Sequence, residues 1–233
     1  MTEQTPVTTA ESRSSTRPDP APRKLSREAR RVQLIESTIE TLAARGYART
    51  TLTDVANHAG LSHGLVNFHF QTKERLLAET LEYLAEEYRE NWVQAMAEAP
   101  DDPASRLDAL LRADFRPPVC DPARLSAWCS FWGEAQSRPL YQERCGSNDD
   151  RYIEMLEGIC ADLIRTGGYE GHPARTARVL RVLVEGVWLD LITMSNPYGR
   201  DEARRTVYAA AASFFPRHFT EDGLIGVAVP DQP

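Results

Sequence analysis

The sequence predicts an all-α fold in two parts, a small N-terminal three-helix unit containing a helix-turn-helix and a larger C-terminal helical bundle. Three observations carry that expectation. From Val32 onward, apolar residues recur at three- and four-residue steps over most of the chain, the period of a helix packed on one side. The interruptions fall at Gly or Pro, with Ser, Thr or Asp ahead of several of the next stretches, which is how helices stop and start. No segment alternates with the two-residue period of a half-buried strand.

In chain order, residues 1–22 hold Pro6, Pro18, Pro20 and Pro22 among many Ser and Thr, with almost no large apolar side chain, and read as a disordered leader. The basic stretch Arg23-Lys24-Leu25-Ser26-Arg27 and then Arg30-Arg31 runs into a helix with Val32, Ile35, Ile39 and Leu42 on one face, closed by Gly46. Thr51-Leu52-Thr53-Asp54 has the form of a capping box and opens a short helix to Ala59. Gly60 stops it, Ser62 caps another short helix, and Val66 and Phe70 form its inner face. Lys73 to about Met96 is a long helix striped by Leu77, Leu81, Leu84, Tyr88 and Trp92.

Pro100 and Pro103 break that helix, and another follows through Leu107, Leu110, Leu111 and Phe115 until Arg116-Pro117-Pro118. Asp121-Pro122 reads as N-cap and first-turn proline of a helix through Ser137. A further helix spans about Leu140 to Thr166, with Cys145-Gly146-Ser147-Asn148 unresolved between helix and loop, and ends at Gly167-Gly168. Pro173–Met194 and Asp201–Phe215 are apolar on most faces, so a partner subunit is expected to cover one side of each. The domains expected are the leader 1–22, a helix-turn-helix domain 23–88 with its motif at 51–70, a ligand-binding and dimerisation domain 89–219, and a tail 220–233.

Composition narrows the class. Of the 233 residues 42% are hydrophobic, yet no run approaches the roughly 18 to 20 apolar residues of a membrane span. The first residues lack the apolar core of a secretion signal, so a cytoplasmic protein is expected. The net charge of −7 divides unevenly: residues 1–75 carry eleven Lys/Arg against eight Asp/Glu, or +3, and the remainder sums to −10. A basic front on an acidic body suggests a polyanionic partner for the front. Cys120, Cys129, Cys145 and Cys160 form no C-x-x-C pair and no zinc spacing with His, and read as small apolar side chains. No cofactor or metal is expected.

The stretch from Thr51 to Phe70, with Ala59-Gly60-Leu61-Ser62, Gly64 and the exit Asn67-Phe68-His69-Phe70, followed by Lys73 and Leu77, resembles the DNA-binding motif of the TetR family over about residues 28–88. Leu61 replaces the usual Val. Asn67 replaces the usual Tyr, so that tyrosine's phosphate contact does not carry over to this position. The resemblance implies a homodimeric repressor that binds a palindromic operator in double-stranded DNA and is released by a small molecule. It also implies a phosphate contact for His69.

The chemistry of the residues points the same way. A short helix presenting its N-terminus offers free N–H groups and side chains to phosphates and base edges in the major groove. Thr51, Ser62, Lys73, Arg27, Arg30 and Arg31 are candidate grips on the backbone, and His63, Asn67 and Phe68 candidate contacts to bases. Gly64 serves by its lack of bulk. A helical hairpin that binds only protein, and an arginine-rich arm that is merely solvated, are the alternatives.

In the body, Ser126-Ala127-Trp128-Cys129-Ser130-Phe131-Trp132-Gly133-Glu134-Ala135 and Val184-Glu185-Gly186-Val187-Trp188-Leu189 resemble two segments of the TetR-family branch that contains choline-responsive repressors. Trp92, Trp128, Phe131, Trp132, Tyr152 and Trp188, with Glu134 and Glu185, are candidates for a cage holding a cationic or apolar effector by ring faces and carboxylates. Plain core packing is the competing reading of the rings, and pairing with Arg178 or Arg181 that of Glu185 and Asp190. Leu183, Val187, Asp190, Val207, Ala210 and Phe214 are the expected dimer contacts, in a four-helix arrangement with their copies. An effector is expected to act by tilting the helix Lys73–Met96. No nucleophile elbow, phosphate-binding glycine loop or metalloprotease motif is present, so an enzyme is not expected.

Overall fold

A computed structural model of the chain describes Met1, residues 26–135 and residues 139–226. The expected leader 1–22, Arg23, Lys24 and Leu25, the last two residues of the helix expected to reach Ser137, and the tail beyond 226 lie outside the described residues.

Nine helices occur among the described residues: α1 Arg27–Arg45, α2 Leu52–Ala59, α3 His63–Phe70, α4 Lys73–Glu98, α5 Pro103–Ala113, α6 Pro122–Ala135, α7 Pro139–Gly167, α8 Pro173–Thr193 and α9 Arg200–Phe214. Local chemistry sets most of their ends. The Oγ1 of Thr51 accepts from the N–H of Asp54 at 3.1 Å while the Asp54 carboxylate accepts from the N–H of Thr51 at 3.1 Å, the reciprocal cap of α2. Gly60 ends α2 in the left-handed region at φ 65°, where a residue without Cβ is unstrained. Ser62, Thr72 and Asp102 cap α3, α4 and α5, and the Asp121 carboxylate accepts from the N–H groups of Ala123 and Arg124 at the start of α6.

Two elements differ from the sequence expectation, and a third settles a stretch that it left open. The α5 helix stops at Ala113, two residues short of Phe115: Pro117 and Pro118 have no N–H to give the carbonyls of Ala113 and Asp114, which accept instead from Asn91 at 3.0 Å and from the Trp188 indole at 3.0 Å. The Cys145–Asn148 stretch stays helical within α7, where the buried Cys145 packs into the N-terminal core and offsets the cost of Gly146. A small hairpin pairs β1 Phe219–Thr220 with β2 Gly223–Leu224. Phe219 is buried and Leu224 packs against the C-terminal core, so the expected boundary between residues 219 and 220 cuts through an ordered element.

The N-terminal core joins Leu34, Ile35, Ile39 and Leu42 of α1, Val55 and Ala56 of α2, Val66 and Phe70 of α3, and Leu76, Leu77, Leu81 and Leu84 of α4. It is not closed by these four helices alone. Ala127, Trp128 and Phe131 of α6 complete it, and α6 lies along α1. The C-terminal core is built from α5, α7, α8 and α9 with the hairpin on its edge. Buried hydroxyls of Thr38, Thr41 and Thr80 donate to the carbonyls four residues back, which settles their hydrogen bonding without opening the core. No described helix is long and apolar enough to cross a membrane.

Candidate nucleic-acid interface and effector pocket

The α3 helix is divided cleanly by its own period. Val66 and Phe70 point inward with no exposed surface, while Ser62, His63, Gly64, Asn67 and Phe68 are exposed together. A Cβ placed on Gly64 would meet nothing within 4 Å, so that position is open to an approaching molecule. Phe68 is 64% exposed, an unusual position for a phenylalanine, and the Arg27 guanidinium lies 5.6 Å from its ring centroid. The His69 ring meets the Phe68 ring edge-on at 5.4 Å. Partial burial, and then the charges of Arg27, Arg30 and Arg31, hold the His69 imidazole below its usual pKa, leaving a neutral ring with one N–H to donate.

Not every expected grip faces outward unoccupied. Lys73 donates from Nζ to the carbonyls of Tyr47 at 2.8 Å and Ala48 at 2.9 Å, pinning the start of α4 to the loop between α1 and α2. The Thr51 hydroxyl donates to Asp54 at 2.6 Å, and Arg31 is paired with Glu79 at 2.8 Å and Glu28 at 3.3 Å. These three are engaged within the chain. Arg30 donates to Gln33 at 2.7 Å on its own helix.

A cavity of about 300 Å³ opens in the body, within the size range of small-molecule sites. Four helices supply its wall: Tyr88 from α4, Trp128 and Trp132 from α6, Tyr141, Asp149, Tyr152 and Ile153 from α7, and Arg181, Val184, Glu185 and Trp188 from α8. Five of the expected cage residues are therefore in the wall: Trp128, Trp132, Tyr152, Glu185 and Trp188. Three are not, and helix geometry gives the reason. Trp92 lies one turn past Tyr88 and backs Tyr152 from outside at 6.1 Å. Phe131 sits on the α1 side of α6, edge-on to Tyr47 at 5.9 Å. Glu134 is two residues past Trp132, on the other side of α6.

Sequence reasoning missed Tyr88, Tyr141, Asp149, Ile153 and Val184 as wall residues and weighed Arg181 only as an ion partner. Arg181 does pair with Glu185, across one turn of α8. The Trp132 indole donates to the Tyr141 hydroxyl at 3.2 Å. Burial pushes the Asp149 carboxyl up to about 6, against the opposing pull of Tyr141 and Arg181. Behind the wall, Asp114 is 1% exposed and accepts from the hydroxyls of Tyr88 at 3.1 Å and Tyr152 at 3.4 Å. Burial raises its carboxyl to about 7 despite those two hydrogen bonds.

The α6 helix belongs to both sites. Trp128 and Trp132 form cavity wall, while Arg124, Ala127 and Phe131 meet α1. Arg124 donates to Glu87 of α4 at 2.7 and 3.1 Å and to Glu36 of α1 at 2.9 and 3.2 Å, and Tyr83 of α4 donates to Glu36 at 2.9 Å. One guanidinium thus ties three helices together across the two cores.

On α8 the outward stripe is Val179, Val182, Gly186 and Leu189, with Met194 just past its end. The expected contacts Val187 and Val207 are corrected: they are 3% and 0% exposed, sealed in the chain's own core, because α8 and α9 each turn one apolar face inward. Leu183, Ala210 and Phe214 are half-buried, and exposed Asp190 accepts from Tyr198 at 3.2 Å. All four cysteines are free; burial raises Cys120 to about 11 and Cys145 and Cys160 to about 12, which disfavours reactive thiolate.

Residues 34–80 match the family of bacterial regulatory proteins of the tetR family, and residues 103–216 match the BetI-type transcriptional repressor C-terminal family. The chain is 30% identical over 180 residues to the HTH-type transcriptional regulator BetI of Paraburkholderia xenovorans (strain LB400), covering 77% of this chain and 90% of that protein. Its fold is similar to that of a TetR transcription regulator from Haloarcula marismortui ATCC 43049, with a TM-score of 0.67, 23% identity, and 80% of this chain and 98% of that one covered. It is likewise similar to a protein from Saccharomonospora viridis, described as a transcriptional regulator and solved in complex with choline, with a TM-score of 0.69, 19% identity and coverage of 83% and 98%. With both halves matched in order and a close-length relative across most of its sequence, the chain belongs to the TetR family of transcriptional regulators, with a C-terminal half of the BetI type.

Proposed function

We propose that the protein is a homodimeric repressor that holds a palindromic operator until a small molecule fills the cavity of each subunit. The observation that carries this reading is the double role of α6, whose Trp128 and Trp132 are cavity wall and whose Arg124 and Phe131 hold α1 and the loop after it in the DNA-binding half. A ligand that moves the two tryptophans moves the seat of α1. In this reading α6 acting on α1 is the lever, alongside the expected tilt of α4. The effector must prefer the released conformation by at least the free energy it removes from operator binding.

Dimerisation assigns the exposed stripe of α8, Val179, Val182, Gly186 and Leu189, to the partner subunit, together with Leu183, Ala210 and Phe214 at its edge. Two-fold symmetry then sets two α3 helices about 34 Å apart for successive major grooves. On α3 the base contacts fall to His63, Asn67 and Phe68, beside Gly64, and the phosphate grips to Ser62, His69, Arg27 and Arg30. The effector is a small cation carrying a methylated ammonium. Aromatic rings from four helices and two wall carboxylates against one guanidinium support that class, as does the choline bound by the Saccharomonospora viridis protein of the same fold.

A gel shift against DNA upstream of the protein's own gene tests the reading. Specific binding that weakens steeply with salt and is released by choline supports it. A folded dimer with no preference for any fragment in selection from its source genome refutes it.

A further inference from the structure

Asp114 is an acid that the DNA-binding and dimer roles leave unused. It sits at the end of α5, behind the cavity wall, and both of its oxygens are taken by phenols whose rings are themselves wall: Tyr88 on Oδ1 and Tyr152 on Oδ2. The two rings lie 5.7 Å apart, and the Trp188 ring stands edge-on to Tyr88 at 5.9 Å. Trp188 also fixes the acid's backbone by donating to its carbonyl. Among the described residues, none forms an ion pair with this carboxylate. The groups facing it are the phenols of Tyr88 from α4 and Tyr152 from α7 and, from α8, the carboxylate of Glu185; Cys120, beyond the turn after α5, also feels its charge. The nearby wall adds Asp149 from α7 and Arg181 from α8, the latter already paired with Glu185.

We infer that Asp114 is the counter-charge of the effector cavity, acting through Tyr88 and Tyr152 to make it selective for a cation and coupling cation binding to loss of the Asp114 proton. The inference rests on the cationic-effector reading above. The chemistry has two parts. A phenol that donates to a carboxylate is polarised toward phenolate, which makes its ring face more negative and strengthens its attraction for an ammonium. The buried carboxylate, in turn, has no cation of its own among the described residues, so an ammonium against those rings supplies the charge that burial withholds. Asp114 does not touch the ligand and is a positioning residue. A neutral ligand of the same shape gains nothing from it.

The pH dependence follows from the carboxyl's position near 7 behind the cavity wall. Binding that requires the ionised form strengthens about tenfold between pH 6 and pH 8 and levels off above. Asp149, near 6, contributes only about a twofold change over the same interval.

The test is calorimetric titration of the full-length dimer with choline, and with its uncharged isostere 3,3-dimethylbutan-1-ol, at pH 6, 7 and 8. Choline affinity is expected to rise about ten- to twentyfold across that range, most of it from Asp114, with heats that depend on the buffer, reporting proton release, while the isostere stays flat. Asp114→Asn should leave no more than about the twofold change due to Asp149. Tyr88→Phe keeps the ring but removes one donor, and should move the midpoint of the choline profile to higher pH. It serves where Asp114→Asn fails to fold. Choline binding that ignores pH, or that Asp114→Asn leaves intact, overturns the role of Asp114 and leaves the cage reading standing. Absence of choline binding at every pH overturns both.

Discussion

Replacing Arg124 by Met would cut the tie between the effector half and the DNA-binding half while keeping the length and apolar stem of the side chain. Arg124 is 14% exposed and its partners Glu87 and Glu36 are 20% and 37% exposed. Breaking a fully buried pair costs about 3 to 5 kcal/mol, and an exposed pair contributes less than about 1 kcal/mol. Glu36 is screened by solvent, so most of the loss comes from Glu87, stranded beside a second carboxylate. The expected cost is about 2 kcal/mol, between those limits, or roughly 4 to 8 °C in the melting midpoint of a chain of this size. Circular dichroism melts of the Arg124→Met and Glu36→Gln variants and of their double mutant measure it. The double mutant should show a coupling of at least about 0.5 kcal/mol, and choline should release Arg124→Met from DNA less completely than the parent. A midpoint within a degree of the parent, with release by choline unchanged, would refute the argument that α6 works through α1.

Other outcomes separate structural from DNA-contacting roles. Lys73→Met should lower stability by about 1 to 3 kcal/mol, through two lost charge-assisted hydrogen bonds, in urea unfolding, yet leave the salt dependence of DNA binding unchanged; a phosphate grip would instead reduce the log–log slope by about 1. Phe68→Ala should change stability by less than about 0.5 kcal/mol because the ring is exposed, but flatten sequence preference in a selection from random duplexes. Val182→Glu should convert dimers to monomers in sedimentation, and dimers that persist would move the interface off α8. The Asp114 carboxyl is raised from 3.8 to about 7 by folding, so its contribution is complete below about pH 4 and is lost as pH rises to about 7. Chemical unfolding from pH 4 to 8 should therefore show wild type losing ground to Asp114→Asn, by about 4 kcal/mol at most.

Features governed by neighbouring residues were readable in the chain. Thr51 with Asp54, Gly60, Ser62 and Asp121 set helix ends through bonds spanning two to four residues, and the inner and outer faces of α3 follow from its period alone. Features decided by packing were not. Pro117 and Pro118 announce that α5 must stop, but nothing near Phe115 says that Asn91 and Trp188, from distant helices, will take the carbonyls left free. An all-round apolar helix does not say which face meets its own core, which is why Val187 and Val207 read like interface and proved to be interior. Tyr88 looked like one more residue of a packing stripe, and only the approach of α6, α7 and α8 makes it cavity wall. The hairpin at Phe219 has two residues per strand, too few for any alternation to register.

The seam between α1 and α6 also constrains how this protein could be taken apart or recombined. A DNA-reading head excised after residue 88 would expose the leucine and isoleucine floor that Ala127, Trp128 and Phe131 now cover, so it should aggregate rather than fold alone. A chimera joining this head to another regulator's sensor inherits the same defect unless it also transplants the α6 residues that meet α1. Over evolutionary time, then, changes in operator preference can accumulate freely on the outer side of α3, whereas changes on the underside of α1 must be matched by substitutions some ninety residues away.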